Sequence, residues 1–546
     1  MAKALMIQGT GSGAGKSLLV AALCRIFKDR GLNAAPFKAQ NMALNSCITL
    51  EGGEIGRAQA LQAEAAKIEP TVDMNPILLK ASGEAGSQVI IHGKVHSTMK
   101  AKEYHAFVKG EGDFKRGTKS PFCSEAWDAV KASFNRLSKK HELIIMEGAG
   151  SPAEINLMDV DIVNMSIAKH AKAPVILVGD IDKGGVFASL YGTVKLLGKD
   201  SRHIKAYVIN KFRGDLSILK PGLEIISEKT GKPVIGVLPY IDNIGLPEED
   251  GLSLQGSNSK FIPIYSGQNS KSEKIKIKIV ILHLQYISNF TDFDPFLYEP
   301  DVEIVYSRNT AEIENADMVI IPGSKNTVKD LMFLNETRLD ESIKRAYSKG
   351  IQIMGMCGGY QMLGKKIYDP HGIESPHKKV DGIGLLNIET TFEKEKTTCR
   401  VEAELIQPMQ DTGYTIQDKI KHASCIMHHA SLPLKGYEIH MGASSGDIGL
   451  FKVRRLSLNS SLVTRHSSLI LDGSINGNCW GTYIHGIFEN DSFRRGIINS
   501  IREQGGLPPI DSTIKYSEMK EKAIDNLADI VKQNLDMDFI NKVIGL

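Results

Sequence analysis

Two stretches of this 546-residue chain hold residue types whose order alone implies chemistry. The first is Gly9-Thr10-Gly11-Ser12-Gly13-Ala14-Gly15-Lys16-Ser17, which follows the apolar run Ala4 to Gln8 and precedes Leu18, Leu19, Ala22, Leu23, Ile26 and Phe27 on one helical face. A glycine loop between strand and helix lets backbone N–H groups, those near Gly13 and Gly15 among them, surround phosphates. Lys16 adds charge on the terminal phosphates, and the Ser17 hydroxyl suits magnesium. ATP binding follows, with a merely structural glycine turn as the alternative. Thr10 stands where the first glycine of the common phosphate loop falls, so the reading rests on the Gly-Lys-Ser end and its strand-and-helix setting.

Glu147 closes the apolar run Leu143 to Met146, where its carboxylate can reach magnesium from the sheet edge; a capping or turn acid is the alternative. Lys38, after Ala34 to Phe37, reads as a second phosphate lysine or as a solvated charge. Asn210, after Ile209, reads as a contact to a base edge or as a strand-end turn.

The second stretch is Ile351-Gln352-Ile353-Met354-Gly355-Met356-Cys357-Gly358-Gly359-Tyr360-Gln361. Small residues around Cys357 allow the strained turn of a nucleophile elbow, and the Gly358 N–H can face an oxyanion. A buried structural cysteine is the alternative. The loop Pro322-Gly323-Ser324-Lys325 offers Gly323 as the other oxyanion donor. A thiolate needs a proton partner: His485, in Gly481 to Phe488, is preferred over its rival His440, in Gly436 to Gly442, and the pair His428-His429 has no comparable setting.

These residues need strand ends to present them. Ala4 to Gln8, Leu143 to Met146, Val175 to Val178, Ala206 to Ile209 and Val234 to Val237 predict a parallel sheet covered by helices. Residues 251–274 turn to Ser, Gly, Asn and Lys and read as a linker. A second α/β series follows with Ile275 to Leu284, Met318 to Ile321 and Ile351 to Met356. The expected domains are 1–250, the linker 251–274, 275–516, and a helical tail 517–546. That tail packs on the body through Ile524, Leu527, Ala528, Val531 and Leu535.

Length and composition bound the rest. A chain this long implies two to four domains, and 42% hydrophobic with 24% charged residues is ordinary for folded chains. Lys+Arg 66 against Asp+Glu 63 leaves +3, so a nucleic-acid partner is not expected. Seven cysteines with no Cys-x-x-Cys pair argue against a disulfide framework or a tightly held metal centre. Without a leader or an apolar stretch near ~20 residues, a cytoplasmic protein off the membrane is expected.

Taken together, the motifs resemble those of the cobyric acid synthase family. The resemblance rests on Gly9 to Ser17, Phe37-Lys38-Ala39-Gln40-Asn41-Met42 with Asn45-Ser46, Met74-Asn75-Pro76, Glu147 to Leu157, Asp180-Ile181-Asp182-Lys183-Gly184-Gly185-Val186-Phe187, Ile209 to Asp215, Asp292-Phe293-Asp294-Pro295, the Cys357 elbow, Gly436 to Gly442 and Gly481 to Phe488. It implies an α/β chain of two open doubly wound sheet domains: a dethiobiotin-synthetase-like phosphate-loop domain and a class I glutamine amidotransferase-like domain.

By that resemblance Lys16, Ser17 and Glu147 fall on ATP and magnesium positions, and Cys357 with His485 on the glutaminase pair. Asn41, Asn45, Asp180, Asp182 and Lys183 become candidate contacts to the corrinoid or the transferred phosphate, with plain turn chemistry as the alternative. The implied partners are ATP, Mg²⁺, glutamine and adenosylcobyrinic acid a,c-diamide; homo-oligomerisation is left open. The implied reaction amidates the b, d, e and g carboxylates. The rivals are the synthase that makes the a,c-diamide and a ParA/MinD-like ATPase switch, whose extra early loop lysine is missing from Thr10-Gly11-Ser12. Ile487 stands where triad-type amidotransferases place the carboxylate of His-x-Glu, so the group that orients His485 is unassigned. The stretch Thr397 to Gly436 is longer than the family pattern and transfers no role.

Overall fold

The structure, a computed structural model, describes residues 2–81, 86–110, 124–242, 244–247, 260–261, 276–406, 433–456, 469–511 and 513–546. The expected linker 251–274, apart from the short strand Lys260–Phe261, lies outside the described residues, as do Cys123, Cys425, the His428-His429 pair and most of the stretch 397–436. The chain divides into two units. One comprises Met1–Ala43, Gly53–Glu249 and Lys520–Leu546, the other Leu44–Gly52 and Asp250–Met519.

The first unit is built on a six-stranded parallel sheet. Its strands lie side by side in the order Val234–Pro239, Ile204–Phe212, Val175–Asp180, Lys3–Gly9, Leu143–Glu147 and Ala34–Phe37. Chain order reverses beside Lys3–Gly9, and such a switch point opens a ligand crevice at the carboxyl ends of the strands. Both faces are covered, as near-continuous apolar strands require. Met6, Ile144 and Leu177 pack in one layer, and Leu5, Ile7, Ile145 and Ile176 in the other. The second layer also takes Leu19, Val20, Leu23 and Phe27 of helix Lys16–Asp29 and the C-terminal apolar face Ile524, Leu527, Ala528, Val531 and Leu535. A smaller four-stranded sheet joins Gln40–Met42, Ile77–Ala81, Ser87–Ile91 and Lys94–Met99.

In the second unit five parallel strands, Val302–Ser307, Ile277–Leu282, Met318–Ile321, Gln352–Met356 and Cys479–Thr482, form the centre of a sheet closed at each edge by an antiparallel neighbour. A second, mainly antiparallel sheet contains Ile388–Leu405, Leu434–Gly446 and Ile484–His485. The run around His485 therefore changes sheets. Gly481 and Thr482 pair with Gly355 and Met356, whereas Ile484 and His485 pair with Glu438 and Tyr437. Asp472 fixes that corner by accepting the Thr482 hydroxyl and, at 3.2 Å, the Tyr483 N–H. A buried ion cluster sets the short helix Phe290–Tyr298: Arg494 and Arg495 of helix Asp491–Gln504 grip Glu299 at 2.7 and 2.9 Å, and Arg495 also holds Asp301 at 2.9 Å.

Candidate active sites

In the first unit the loop after Lys3–Gly9 turns through Gly13 (φ 71°) and Gly15 (φ 89°), left-handed conformations that disfavour side chains. Gly15 is doubly constrained, because a Cβ there would lie 2.1 Å from the Asn210 amide nitrogen. That amide donates to the Ala14 carbonyl at 2.9 Å, so Asn210 braces the loop from the end of its strand. Lys16 curls over the loop, its Nζ 2.9 Å from the Gly11 carbonyl and 3.3 Å from that of Gly150. Lys183 also approaches the loop, its Nζ 3.5 Å from where a Cβ on Gly13 would stand.

Glu147 is the hub of this site. Its fully buried carboxylate takes the Ser17 hydroxyl at 2.8 Å and Lys38 Nζ at 2.8 Å on Oε1, and Gln62 Nε2 at 2.6 Å on Oε2. Burying a carboxylate is costly unless it is paired and hydrogen-bonded, and four donors converge here once Gln59 Nε2 is added at 3.5 Å. Ser17 and Glu147 bring a hydroxyl and a carboxylate oxygen together beside the loop, and those hard oxygens fit Mg²⁺, which takes few protein ligands when phosphates and water supply the rest. Among the described residues no group of three or more His, Cys, Asp or Glu is arranged to hold a metal ion.

The remaining candidates scatter. Asp180 pairs with Lys211 at 2.9 Å, and Asp182 with Arg213 at 3.3 Å, both at strand ends beside the crevice. Asn41 is buried and donates to Gln59 Oε1 at 2.9 Å, one step behind Glu147. Asn45 is in the second unit, where its side chain accepts the Phe290 N–H.

In the second unit Cys357 follows Gln352–Met356 with φ 51° and ψ −108°, a conformation unusual for a residue with a side chain. The two glycines after it permit close packing on the neighbouring loop. A Cβ on Gly359 would fall 1.9 Å from the Ile321 carbonyl oxygen, and one on Gly358 2.9 Å from the Ser324 nitrogen. The two expected oxyanion turns, at Gly358 and Gly323, therefore face each other, and Gly323 also lies against the His485 ring.

His485 Nδ1 donates to Asp292 Oδ2 at 2.6 Å, and the other oxygen of Asp292 accepts the Gly486 N–H at 3.0 Å. Nδ1 is occupied by Asp292, and Cys357 lies close enough to the ring to favour its protonated form. Burial pushes the imidazole down, but Asp292 and then Cys357 outweigh it and raise its pKa to about 10. The Tyr437 ring stacks on the imidazole with centroids 5.2 Å apart. His440 differs. Burial drives its pKa down to about 4, it stacks on Tyr483 at 3.9 Å, and its Nδ1 is tied to the Gly442 carbonyl at 2.9 Å. The structure thus brings His485, rather than His440, into a chain running from a carboxylate to the thiol.

Asp292 is the member of this arrangement to which the sequence assigned no role. It stands 193 positions before His485, in a helix whose Phe290, Phe293 and Phe296 are all buried. An acid set among core aromatics was the available signal, since such a group needs a strong partner. Gln361, Thr327 and Tyr483 were also overlooked. The Gln361 amide donates to the Met441 carbonyl at 3.0 Å and the Tyr483 hydroxyl at 3.1 Å, and its Oε1 accepts from Thr327 at 3.3 Å.

Comparison with known proteins matches this division. Residues 5–254 match the CobQ/CobB/MinD/ParA nucleotide binding domain, and residues 278–493 the CobB/CobQ-like glutamine amidotransferase domain. The cobyric acid synthase of Thermodesulfovibrio yellowstonii is 47% identical over 546 residues, covering 100% of each chain. Those of Caldanaerobacter subterraneus and Desulfitobacterium hafniense are 46% and 44% identical, covering 100% and 99% of this chain and 99% and 98% of theirs. With a phosphate loop braced on Glu147, a cysteine elbow paired to an imidazole, and likeness sustained from end to end, this chain belongs to the cobyric acid synthase family of glutamine amidotransferases.

Proposed function

We propose that this chain catalyses the ATP- and glutamine-dependent amidation of the b, d, e and g carboxylates of adenosylcobyrinic acid a,c-diamide, giving adenosylcobyric acid. The observation that carries the reading is that a single chain holds both a Glu147-anchored phosphate loop and the Asp292–His485–Cys357 series.

A carboxylate resists ammonia because its leaving group would be oxide, so ATP first phosphorylates it to an acyl phosphate, releasing ADP. Ammonia then displaces phosphate and forms the C–N bond. In this scheme Lys16 and the loop N–H groups hold the triphosphate, and Ser17 with Glu147 would hold Mg²⁺. The ion, when bound, neutralises charge that builds between the phosphates. Lys38 keeps the Glu147 carboxylate oriented, and we assign Lys183, whose Nζ lies near the Gly13 turn, to the phosphoryl group in transit.

Free ammonia is mostly ammonium at neutral pH and not nucleophilic, which is why a second site generates it in place. A Cys357 thiolate attacks the glutamine side-chain carbonyl, with the Gly358 and Gly323 turns facing the developing oxyanion. The His485 imidazolium, held by Asp292, gives its Nε2 proton to the departing nitrogen, so ammonia leaves neutral. The imidazole then takes a proton from water, which cleaves the thioester to glutamate and restores the thiolate.

Location in the cytoplasm is consistent with the five free cysteines among the described residues, Cys24, Cys47, Cys357, Cys399 and Cys479. Among those residues no helix is long and apolar enough to cross a membrane. Mass spectrometry of the product from the a,c-diamide, ATP and glutamine tests the assignment. We expect four successive decreases of about one mass unit, each replacing OH with NH₂. Turnover only of cobyrinic acid, at positions a and c, would assign the chain to the preceding step instead.

A further inference from the structure

We infer that residues 44–46 are a working part of the glutaminase, with Asn45 a positioning residue for His485; the inference rests on the reading that Cys357 and His485 hydrolyse glutamine. Asn45 is 1% exposed, and its Oδ1 accepts the Phe290 N–H at 3.1 Å. The next residue, Ser46, donates its N–H to Asn289 Oδ1 at 3.1 Å, and its carbonyl accepts the Tyr437 hydroxyl at 3.3 Å. Asn289 has φ 52°, the left-handed conformation that asparagine adopts more readily than most residues and that shapes this turn. Its own carbonyl accepts the Asp292 N–H at 3.0 Å. Two adjacent residues therefore fasten the turn that carries Asp292 and the ring on which His485 stacks.

This segment is also the continuation of the nucleotide unit. Asn41, four positions before Asn45, donates to Gln59, whose amide reaches Glu147. Beyond Ser46 the segment is secured within the second unit by Arg400 on the Ile48 carbonyl at 3.0 Å and Thr398 on the Gly52 carbonyl at 2.8 Å. Residues 41–46 thus form an unbroken covalent tie from the donors around Glu147 to the partners of His485.

The test is a double-mutant cycle in the full chain, with glutamate release from glutamine as the readout. Asn45→Ala is expected to lower kcat for glutamine by about 10- to 100-fold with little change in KM, because it loosens geometry rather than binding. In the Asp292→Asn background the same substitution should cost less than about threefold, since it acts through Asp292. Asn45→Asp, which keeps an acceptor for the Phe290 N–H, should restore most of the loss. Equal losses in both backgrounds would overturn the proposal. So would a fall in ammonia-driven ligation as large as the fall in glutamine-driven ligation, which would make Asn45 a substrate contact instead. If Asn45→Ala does not fold, Ser46→Pro removes the donor to Asn289 and carries the same cycle. Cys357→Ala separates the premises: glutamine hydrolysis that survives it refutes the glutaminase assignment itself, whatever Asn45 does.

Discussion

The two sites stabilise their reactive groups by opposite means. Around Glu147 the protein gathers side-chain donors on one buried carboxylate and gives the loop its shape with glycines at positive φ, where no strain is stored. Around Cys357 it places a residue with a side chain in a left-handed backbone conformation and tunes the neighbouring imidazole through a single carboxylate. The first arrangement suits a ligand that brings its own charge and displaces part of the network on arrival. The second suits a neutral amide, for which the protein must create charge before the substrate enters. The difference predicts that the nucleotide site tolerates partial loss of its network, whereas the thiol site depends on a linear chain in which each member acts through the next.

Removing the end of that chain should have the largest effect. Cys357→Ala is expected to lower glutamine-driven turnover by at least about 10⁴-fold while ammonia-driven ligation continues, measured as product formed from each nitrogen donor. Failure of ammonia to rescue a folded Cys357→Ala protein would break the division of labour between the units. Lys16→Ala should reduce ligation from either donor by about 10³-fold, as loss of a preorganised charge at a transferring phosphoryl group does, and leave glutamate release intact.

Asp292→Asn sharpens the comparison in a second way. We expect glutamine hydrolysis to fall at least about 100-fold, because the amide cannot hold the imidazole as the carboxylate does. It should also change stability with pH. The titratable groups facing His485 are Asp292, Cys357 and the largely neutral His440; Asp292 and then Cys357 outweigh burial and raise its pKa from 6.5 to about 10. A raised pKa means that the folded state holds the proton more tightly, so this contribution is fully present below pH 6.5 and is lost as pH climbs towards 10. Thermal melts of Asp292→Asn should be flatter than those of the parent across that window. The smallest effect is expected from Tyr437→Leu, which removes the stacked ring but leaves the hydrogen-bonded chain: about a threefold loss in kcat for glutamine, read in the same glutamate assay.

Much of both sites was legible because their parts are local. The glycine loop with Lys16 and Ser17 and the Cys357 elbow each run directly from strand through turn to helix, and Glu147 closes a short apolar strand; periodicity locates such units. Met318–Ile321 and Ala34–Phe37 coincide with the expected strands, and Lys3–Gly9 and Ile204–Phe212 extend theirs by one to three residues at each end. Asp292 was not legible as an orienting group, because its partner is set by packing between a short helix and a strand far along the chain. The allegiance of residues 44–52 was hidden for the same reason. From the sequence Asn45 reads as a contact to the corrinoid or the transferred phosphate, with turn chemistry as the alternative, and only Phe290, Asn289 and Tyr437 reveal what it and Ser46 hold. The double setting of the His485 run was concealed too, since a change of sheet at Tyr483 leaves no break in a short β-like run.

The backbone at Cys357 bears on how the protein comes into being. A residue other than glycine at φ 51° costs about 1–3 kcal/mol and is kept there only by what surrounds it, here the Ile321 carbonyl against Gly359 and the Thr482 carbonyl that accepts the Cys357 N–H at 2.9 Å. The strand bearing Thr482 is made some 120 residues after the cysteine, at the far end of synthesis for this unit. A nascent chain therefore cannot hold the Cys357 turn in this conformation until the strand Cys479–Thr482 has been laid beside it.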